Sequence, residues 1–547
     1  MRWGGSNWQR GLLAALAVLC APAGAVGQAT GVEPSTAAPI TYPATPRLDL
    51  VETLFGKPVA DPYRWLENDV RADPAVADWV ARENALARDY LSALPQREWF
   101  AAQVRAALDF ERFSVPKKAG QRYFYLRNSG EQSQAQLYAR NGLDGEPRLL
   151  IDPNRWARDG SVALDAELWE PSPDGQLVAY GVQDGGSDWR VLRIIEADSG
   201  RLLPDELRWA NDTRIAWIGR DAFLYSRFPA PPAGQEHRAQ LYNKAVWLHR
   251  VGTPQSADTL AYATPDHPDW GHRAEVTADG RYAVITSEIG TDARYEVHVI
   301  DLTRPYTPAA QALPLVVGFT HDWKLVNSQG RRLMFVTNWQ APRYRLLDID
   351  LGARKPEWRE LVGEREDTLA RAEIVGEQLV LSYLHNATSY ATMVDLKGRR
   401  VRQLSLSGIG TASGFRGRPG DPETFYSFAS FNQPPAIYRF DMTTGVSTPF
   451  AVPKLPFNPD NFVVEQRIYQ SRDGTRVPLF LMRRRDVSAS GRAVPTLLYG
   501  YGGFDIAQTP AFSPARMAWV EAGGAFALAN LYLLRRRLLS PQGTCAW

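Results

Sequence analysis

Ser172-Pro-Asp-Gly-Gln-Leu-Val-Ala-Tyr180 is a tight turn that runs directly into a β-strand. Proline presets φ, glycine supplies a left-handed position, and the β-branched and aromatic residues that follow favour extended chain. The same phrase returns as Thr277-Ala-Asp-Gly-Arg-Tyr-Ala-Val-Ile285 and as Ser328-Gln-Gly-Arg-Arg-Leu-Met-Phe335. Weaker copies begin at Gly120 (GQRYFYLR), Gly219 (GRDAFLYS), Gly376 (GEQLVLSY) and Gly420 (GDPETFYSF). The turn glycines stand at 120, 175, 219, 280, 330, 376 and 420, which makes seven units about 50 residues apart. Short antiparallel strands at this period are the signature of a β-propeller. One or two β-sandwiches would also give many short strands, but they would not explain seven recurrences. A seven-bladed β-propeller is expected from about 116 to 450.

The flanks read differently. Upstream, Asp73-Pro74 offers an N-cap and a first-turn proline. Val76, Trp79, Val80, Ala87, Tyr90, Leu91 and Leu94 then recur at helical spacing. A second short helix is expected from about Gln96 to Leu108. Downstream of Pro456, Val463 to Tyr469 alternates as an antiparallel strand, Arg472-Asp-Gly474 is a hairpin turn, and Val477 to Met482 is the return strand. Val494-Pro-Thr-Leu-Leu-Tyr499 is apolar on both faces, as buried strands in mixed sheets are. A glycine-rich loop, a helix around Pro514 to Ala522 and an apolar strand from Ala525 to Asn530 complete the opening of an α/β domain.

Composition bounds the function. The 547 residues allow two or three domains, and 44% hydrophobic with 22% charged residues describes a folded globular chain. Lys+Arg and Asp+Glu nearly balance at 62 and 60, so the totals ask for no nucleic acid or anionic membrane. At the start, Arg2 and Arg10 precede the apolar run Gly11 to Ala21, and Ala23-Gly24-Ala25 is a small-x-small cleavage site. Residues 1–25 are therefore expected to be an export signal to the periplasm or exterior, and 26–41 a flexible linker. A membrane anchor is the weaker reading, because the apolar run is far shorter than the ~20 residues that span a bilayer. Of the two cysteines, Cys20 and Cys545, cleavage would remove the first, which leaves no internal disulfide.

The segment richest in chemistry is Leu498-Tyr-Gly-Tyr-Gly-Gly-Phe-Asp505. A strand that ends in such a loop lets backbone N–H groups and a side chain converge on a ligand oxygen, as in an oxyanion hole. A tight glycine turn with two packed aromatics would read the same from spacing alone. His267 and His272, with Glu275 as a third, are candidate metal ligands. They sit on a loop running into a strand rather than on one helix face, so a plain loop is the preferred reading and no metal is expected. No P-loop or dinucleotide fingerprint is present, so no cofactor is expected.

Several stretches together resemble the prolyl oligopeptidase family. They are Asp61-Pro-Tyr-Arg-Trp-Leu-Glu67, Tyr123-Phe-Tyr125 followed by Asn128-Ser-Gly-Glu-Gln-Ser133, and Gly186-Ser-Asp-Trp189. Thr337-Asn-Trp-Gln-Ala-Pro-Arg-Tyr-Arg345, Ser471-Arg-Asp-Gly-Thr475 and Tyr499-Gly-Tyr-Gly-Gly-Phe504 complete the set, in order from about Tyr42 to Asn530. The resemblance implies a serine peptidase that cleaves short peptides after proline, with a propeller capping an α/β-hydrolase domain. Segment 42–115 would open that hydrolase domain, 116–450 would be the propeller, and 451–530 the first part of the hydrolase domain proper. By position in the loop, Tyr501 matches the family's oxyanion-hole tyrosine and Phe504 an aromatic near its proline-binding pocket. The implied partners are short proline-containing peptides, and the implied state is a monomer.

The chain departs from the family after Asn530. The family continues there with an arginine and a run of glycines, whereas this chain has a tail, 531–547, containing Arg535-Arg-Arg537. Repeated glycine codons (GGC) read one base out of frame give arginine (CGG), so a frameshift near Leu531 is one reading and a plain basic tail the other. On this fold the nucleophile, acid and base follow the oxyanion loop. No G-x-S-x-G occurs in the chain, and all seven histidines lie at or before His385, within the expected propeller. The chain as given is expected to be inactive. The alternatives are a non-catalytic peptide-binding propeller fragment and a related oligopeptidase of the same family.

Overall fold

The computed structural model describes residues 40–130, 132–236, 239–304, 312–404, 406, 408–503 and 506–530. The expected export signal, most of the linker, Phe504 and the 531–547 tail lie outside these residues. The chain divides into two compact units, Met1–Tyr90 and Leu91–Trp547.

In the smaller unit, a hairpin pairs Val51–Leu54 with Lys57–Ala60, and α1 (Pro74–Ser92) follows. Asp73 caps that helix by accepting from the Ala75 N–H at 2.9 Å. The Asp61–Glu67 stretch works as a bracket. Arg64 reaches Asp61 at 2.6 Å and also Glu52 on the hairpin. Trp65 donates to the Pro46 carbonyl at 3.0 Å and meets Trp79 of α1 edge-on at 6.4 Å.

The larger unit begins with α2 (Arg97–Leu108) and then builds seven consecutive antiparallel sheets. These occupy 112–151, 162–210, 216–262, 270–316, 323–362, 368–404 and 411–451. Six have four strands each in simple meander order. In the first sheet the opening strand is split into Arg112–Phe113 and Lys117–Ala119, both paired to Arg122–Asn128. Pro116 explains the break, since it has no N–H to give the ladder. Every glycine of the sequence repeat lies in the turn between the first and second strands of one sheet, with φ between +56° (Gly120) and +89° (Gly420).

Both faces of these sheets are buried, and alternation sends successive side chains to different neighbours. In the second strand of the third sheet, Phe223 and Tyr225 pack with Ile194 and Leu207 of the second sheet. Leu224 between them packs with Ala274 and Ile285 of the fourth. The same division separates Leu333 and Phe335 from Met334 and Val336 in the fifth sheet. Further clusters join the first sheet to the second and the sixth to the seventh. A final cluster places Tyr123 of the first sheet against Phe425 and Ile437 of the seventh. The seven sheets therefore form a closed ring, the arrangement of a β-propeller. At the closing seam no strand is shared. Lys118 pairs with Asp421 at 3.2 Å, and the Tyr123 hydroxyl donates to the buried Glu423 carboxylate.

After the ring comes a smaller mixed sheet of β1 (Phe462–Gln470), β2 (Arg476–Arg484), β3 (Thr496–Tyr501) and β4 (Ala525–Asn530). Its order is β1-β2-β4-β3, and β3 and β4 run parallel. Parallel neighbours need a crossover. Helix α3 (Pro514–Glu521) supplies it, capped by Ser513. Phe480, Met482, Phe526 and Leu528 of the sheet pack with Met517 and Val520 of α3 and with Ala387 and Phe431 from turns of the ring. Contrary to the expectation of a buried strand over 494–499, β3 begins at Thr496 and is exposed at every position, with Leu498 at 68%. The cause is its place at the sheet edge, where no described residue covers its outer side.

The ring predicts unequal costs for two formally identical turns. A Cβ on Gly175 would lie 2.4 Å from the Ala119 carbonyl oxygen of the neighbouring sheet, while one on Gly330 meets nothing within 4 Å. Gly330→Ala should therefore cost only the left-handed penalty of about 1–2 kcal/mol, and Gly175→Ala roughly 1–3 kcal/mol more. Denaturant unfolding of the two variants reads the difference.

Candidate active site

Tyr501 closes β3 and lies opposite Asn530 in the parallel register. Parallel strands of an open α/β sheet direct their carboxyl ends, and the loops that follow them, to one side, where ligands bind. The Tyr501 hydroxyl rests against Gly503, so that a Cβ there would sit 3.2 Å from it. No hydrogen bond from a described residue reaches that hydroxyl, and Tyr501 is 36% exposed. An exposed phenol at a strand end, held over a bare glycine, can donate to an oxygen placed above the loop. Phe504 lies outside the described residues.

Two anchors hold the loop after Tyr501, and neither was read from the sequence. The Asn530 side chain accepts from the Gln508 N–H at 2.8 Å and donates to the Gln508 carbonyl at 3.0 Å. Thr411, in the seventh sheet of the ring, donates to the Pro510 carbonyl at 2.7 Å. Asn530 is the last residue of an apolar strand, and a polar side chain there was the available signal. Thr411 carried none, because its partner is 99 residues away. The Arg516 guanidinium of α3 lies 4.5 Å from the Phe526 ring and 5.7 Å from the Tyr499 ring. Burial lowers its pKa from the usual guanidinium value.

The metal candidates diverge. His272 is buried, with its ring nitrogens 2.9 Å from Ser287 and 3.0 Å from Thr264. Burial pushes its pKa down to about 4, with Lys244 and His298 adding to the effect. His267 stacks on Trp270 at 4.1 Å, and Glu275 pairs with Arg214 at 2.8 Å. Among the described residues no group of three or more His, Cys, Asp or Glu side chains is placed to hold a metal. No described helix is long and apolar enough to cross a membrane.

Among the described residues, the one histidine with a carboxylate at each ring nitrogen is His249, and it is far from Tyr501 in sequence. Its Nε2 lies 2.9 Å from Asp205 and its Nδ1 2.7 Å from Asp258, with all three side chains fully buried. The Gly252 N–H donates to Asp205 at 2.6 Å and the Tyr225 hydroxyl to Asp258 at 2.6 Å. Burial alone would lower the imidazole pKa, but the hydrogen bonds and charges of Asp205 and Asp258 outweigh it and hold the value above the ordinary one. The cluster ties the outer strand of the second sheet to the third.

Known proteins give the context. Residues 43–453 match the family profile described as prolyl oligopeptidase, N-terminal beta-propeller domain. A prolyl endopeptidase of Elizabethkingia miricola is 34% identical over 493 residues, which cover 90% of this chain and 68% of that protein. A dual-function macrocyclase-peptidase of Galerina marginata is 30% identical, with 90% of this chain and 71% of that protein covered. Among solved structures, one from a study of two prolyl endopeptidases and their inter-domain dynamics is 44% identical, with a TM-score of 0.67 over 90% of this chain and 70% of its own. Prolyl oligopeptidase B of Galerina marginata, bound to a 25-residue macrocyclisation substrate, is 28% identical with a TM-score of 0.80, over 90% and 72%.

Asn530→Ala should release the 506–510 loop while leaving the ring intact, and faster amide exchange confined to that loop would show it. The raised His249 pKa gives stability that is complete below about pH 6.5 and lost as pH rises through the folded-state value. The thermal stability advantage of the native chain over His249→Asn should therefore shrink between acid and alkaline buffer. An advantage that grew with pH would contradict the assignment.

Proposed function

Since the chain belongs to the prolyl oligopeptidase family, we propose that it is the propeller and the opening part of the hydrolase domain of a serine-type endopeptidase acting after proline in short peptides. On this reading each sheet of the ring is one blade of a seven-bladed propeller spanning 116–450. Segment 42–115 and residues 451–530 are then the two pieces of an incomplete α/β-hydrolase domain. The observation that carries it is Tyr501, with its hydroxyl unpartnered among the described residues, at the carboxyl end of a parallel strand. It would donate to the oxygen of the carbonyl under attack, where negative charge develops in the transition state. Phe504 would meet the proline ring. The likeness to prolyl endopeptidases and macrocyclase-peptidases supports the substrate class.

Acyl transfer also needs a nucleophile and a base. These 547 residues contain no G-x-S-x-G, and no histidine follows His385. We infer that the chain as given binds proline-containing peptides without cleaving them. Export by the 1–25 signal, a monomeric state and the lack of a cofactor belong to the same proposal.

The test uses the full chain with a succinyl-Gly-Pro anilide substrate and with a labelled proline tripeptide. Binding of the tripeptide without release of the anilide is expected. Tyr501→Phe should weaken binding about 3- to 10-fold, the worth of one hydrogen bond. Hydrolysis that follows the chain through purification would place a nucleophile elsewhere in it. Absence of tripeptide binding would remove the reading.

A further inference from the structure

We propose that a cleft between the second and third sheets of the ring, lined by Trp189, Phe228, Pro229, Pro231, Tyr242 and Asn243, binds the part of an extended proline-containing peptide that lies away from the scissile bond. This rests on the peptide-binding function proposed above.

The cleft is on the correct face. In a four-stranded meander, the turn from second to third strand and the link from fourth strand to the next sheet emerge at the same end. Ala387 and Phe431 stand in such turns and Ile409 in such a link, and all three pack with the core of the mixed sheet. Trp189 stands in the equivalent turn of the second sheet, and Phe228 through Asn243 in that of the third. The cleft therefore opens on the ring face that carries the sheet bearing Tyr501.

The cleft wall is a fixed aromatic assembly. Trp189 meets Trp209 edge-on at 5.6 Å and Phe228 at 5.9 Å. Its indole N–H donates to the Glu236 carbonyl at 2.8 Å. Trp209 has φ +63°, a left-handed backbone that bulky residues avoid. The surrounding fold must hold it there, since the Phe228 N–H donates to the Trp209 carbonyl at 3.0 Å. The apolar surface continues beyond the cleft. The Asn243 N–H donates to the Pro268 carbonyl at 2.7 Å. Next to it His267 stacks on Trp270, which meets Phe319 at 4.6 Å.

The chemistry selects the occupant. The cleft holds about 390 Å³, and no lining residue carries a formal charge. Tyr242 is 45% exposed, so an apolar ring is presented to solvent. Flat aromatic walls suit the stiff, extended conformation of proline-containing segments, which dock with little further loss of freedom. Gln235, Gln240 and Asn243 also line the cleft and supply amides for the carbonyls of such a chain.

The experiment compares two labelled peptides on the full chain by fluorescence anisotropy. One is the proline tripeptide, and the other extends it to about 20 residues with prolines at intervals, a length chosen to cross the ring face. The longer peptide should bind at least about tenfold tighter, with little dependence on salt. Trp189→Ala and the surface variant Tyr242→Ala should each remove about 3- to 10-fold of that gain and leave tripeptide affinity unchanged. A longer peptide that binds no tighter, or that is indifferent to both variants while the tripeptide binds normally, would overturn the cleft alone. Failure of both peptides to bind would overturn the function proposed for the chain and the cleft with it.

Discussion

A sheet whose second strand reads Phe223-Leu224-Tyr225, with all three side chains excluded from solvent, cannot be stable with water on either face. Each sheet of this ring has that property, so each needs a neighbour on both sides. An open row would leave two apolar faces bare, at roughly 25 cal/mol per Å². Closure covers them. The site inherits its position from this requirement, because turns at one end of the ring pack with the mixed sheet that carries Tyr501.

Much of this was legible from local chemistry. The seven turn glycines could be read because each turn is set by residues adjacent in sequence, and all seven adopt the left-handed backbone that glycine alone takes easily. The hairpin at Arg472-Asp-Gly474, helix α3 and strand β4 were equally local. What could not be read depends on partners distant in sequence. An apolar run such as Leu497-Leu498-Tyr499 has the same composition in a sheet centre as at an edge, so its exposure in β3 was not visible. The carboxylates that flank His249 lie 44 and 9 residues away, and neither spacing forms a motif.

The candidate site shows the same division. The glycine-rich loop announced a place where backbone and ligand approach closely, and Tyr501 followed from the family resemblance. The anchors that make the loop definite, Asn530 and Thr411, come from the next strand and from the seventh sheet of the ring. Their hydrogen bonds couple the loop to both the sheet and the propeller. Movement of one against the other would therefore be felt at Tyr501.

The seam between the first and seventh sheets has a bearing on how the chain is made. Every sheet of the ring is built from one uninterrupted stretch, and the last borrows no strand from the first. The pairings within each can therefore form over short sequence distances as it leaves the ribosome, and its faces are covered as neighbouring sheets follow. Only the seam itself, where Lys118, Tyr123 and Tyr125 meet Asp421, Phe425, Ile437 and Phe450, must wait for the final sheet. Synthesis and ring assembly can thus advance in the same direction, with a single long-range step at the end.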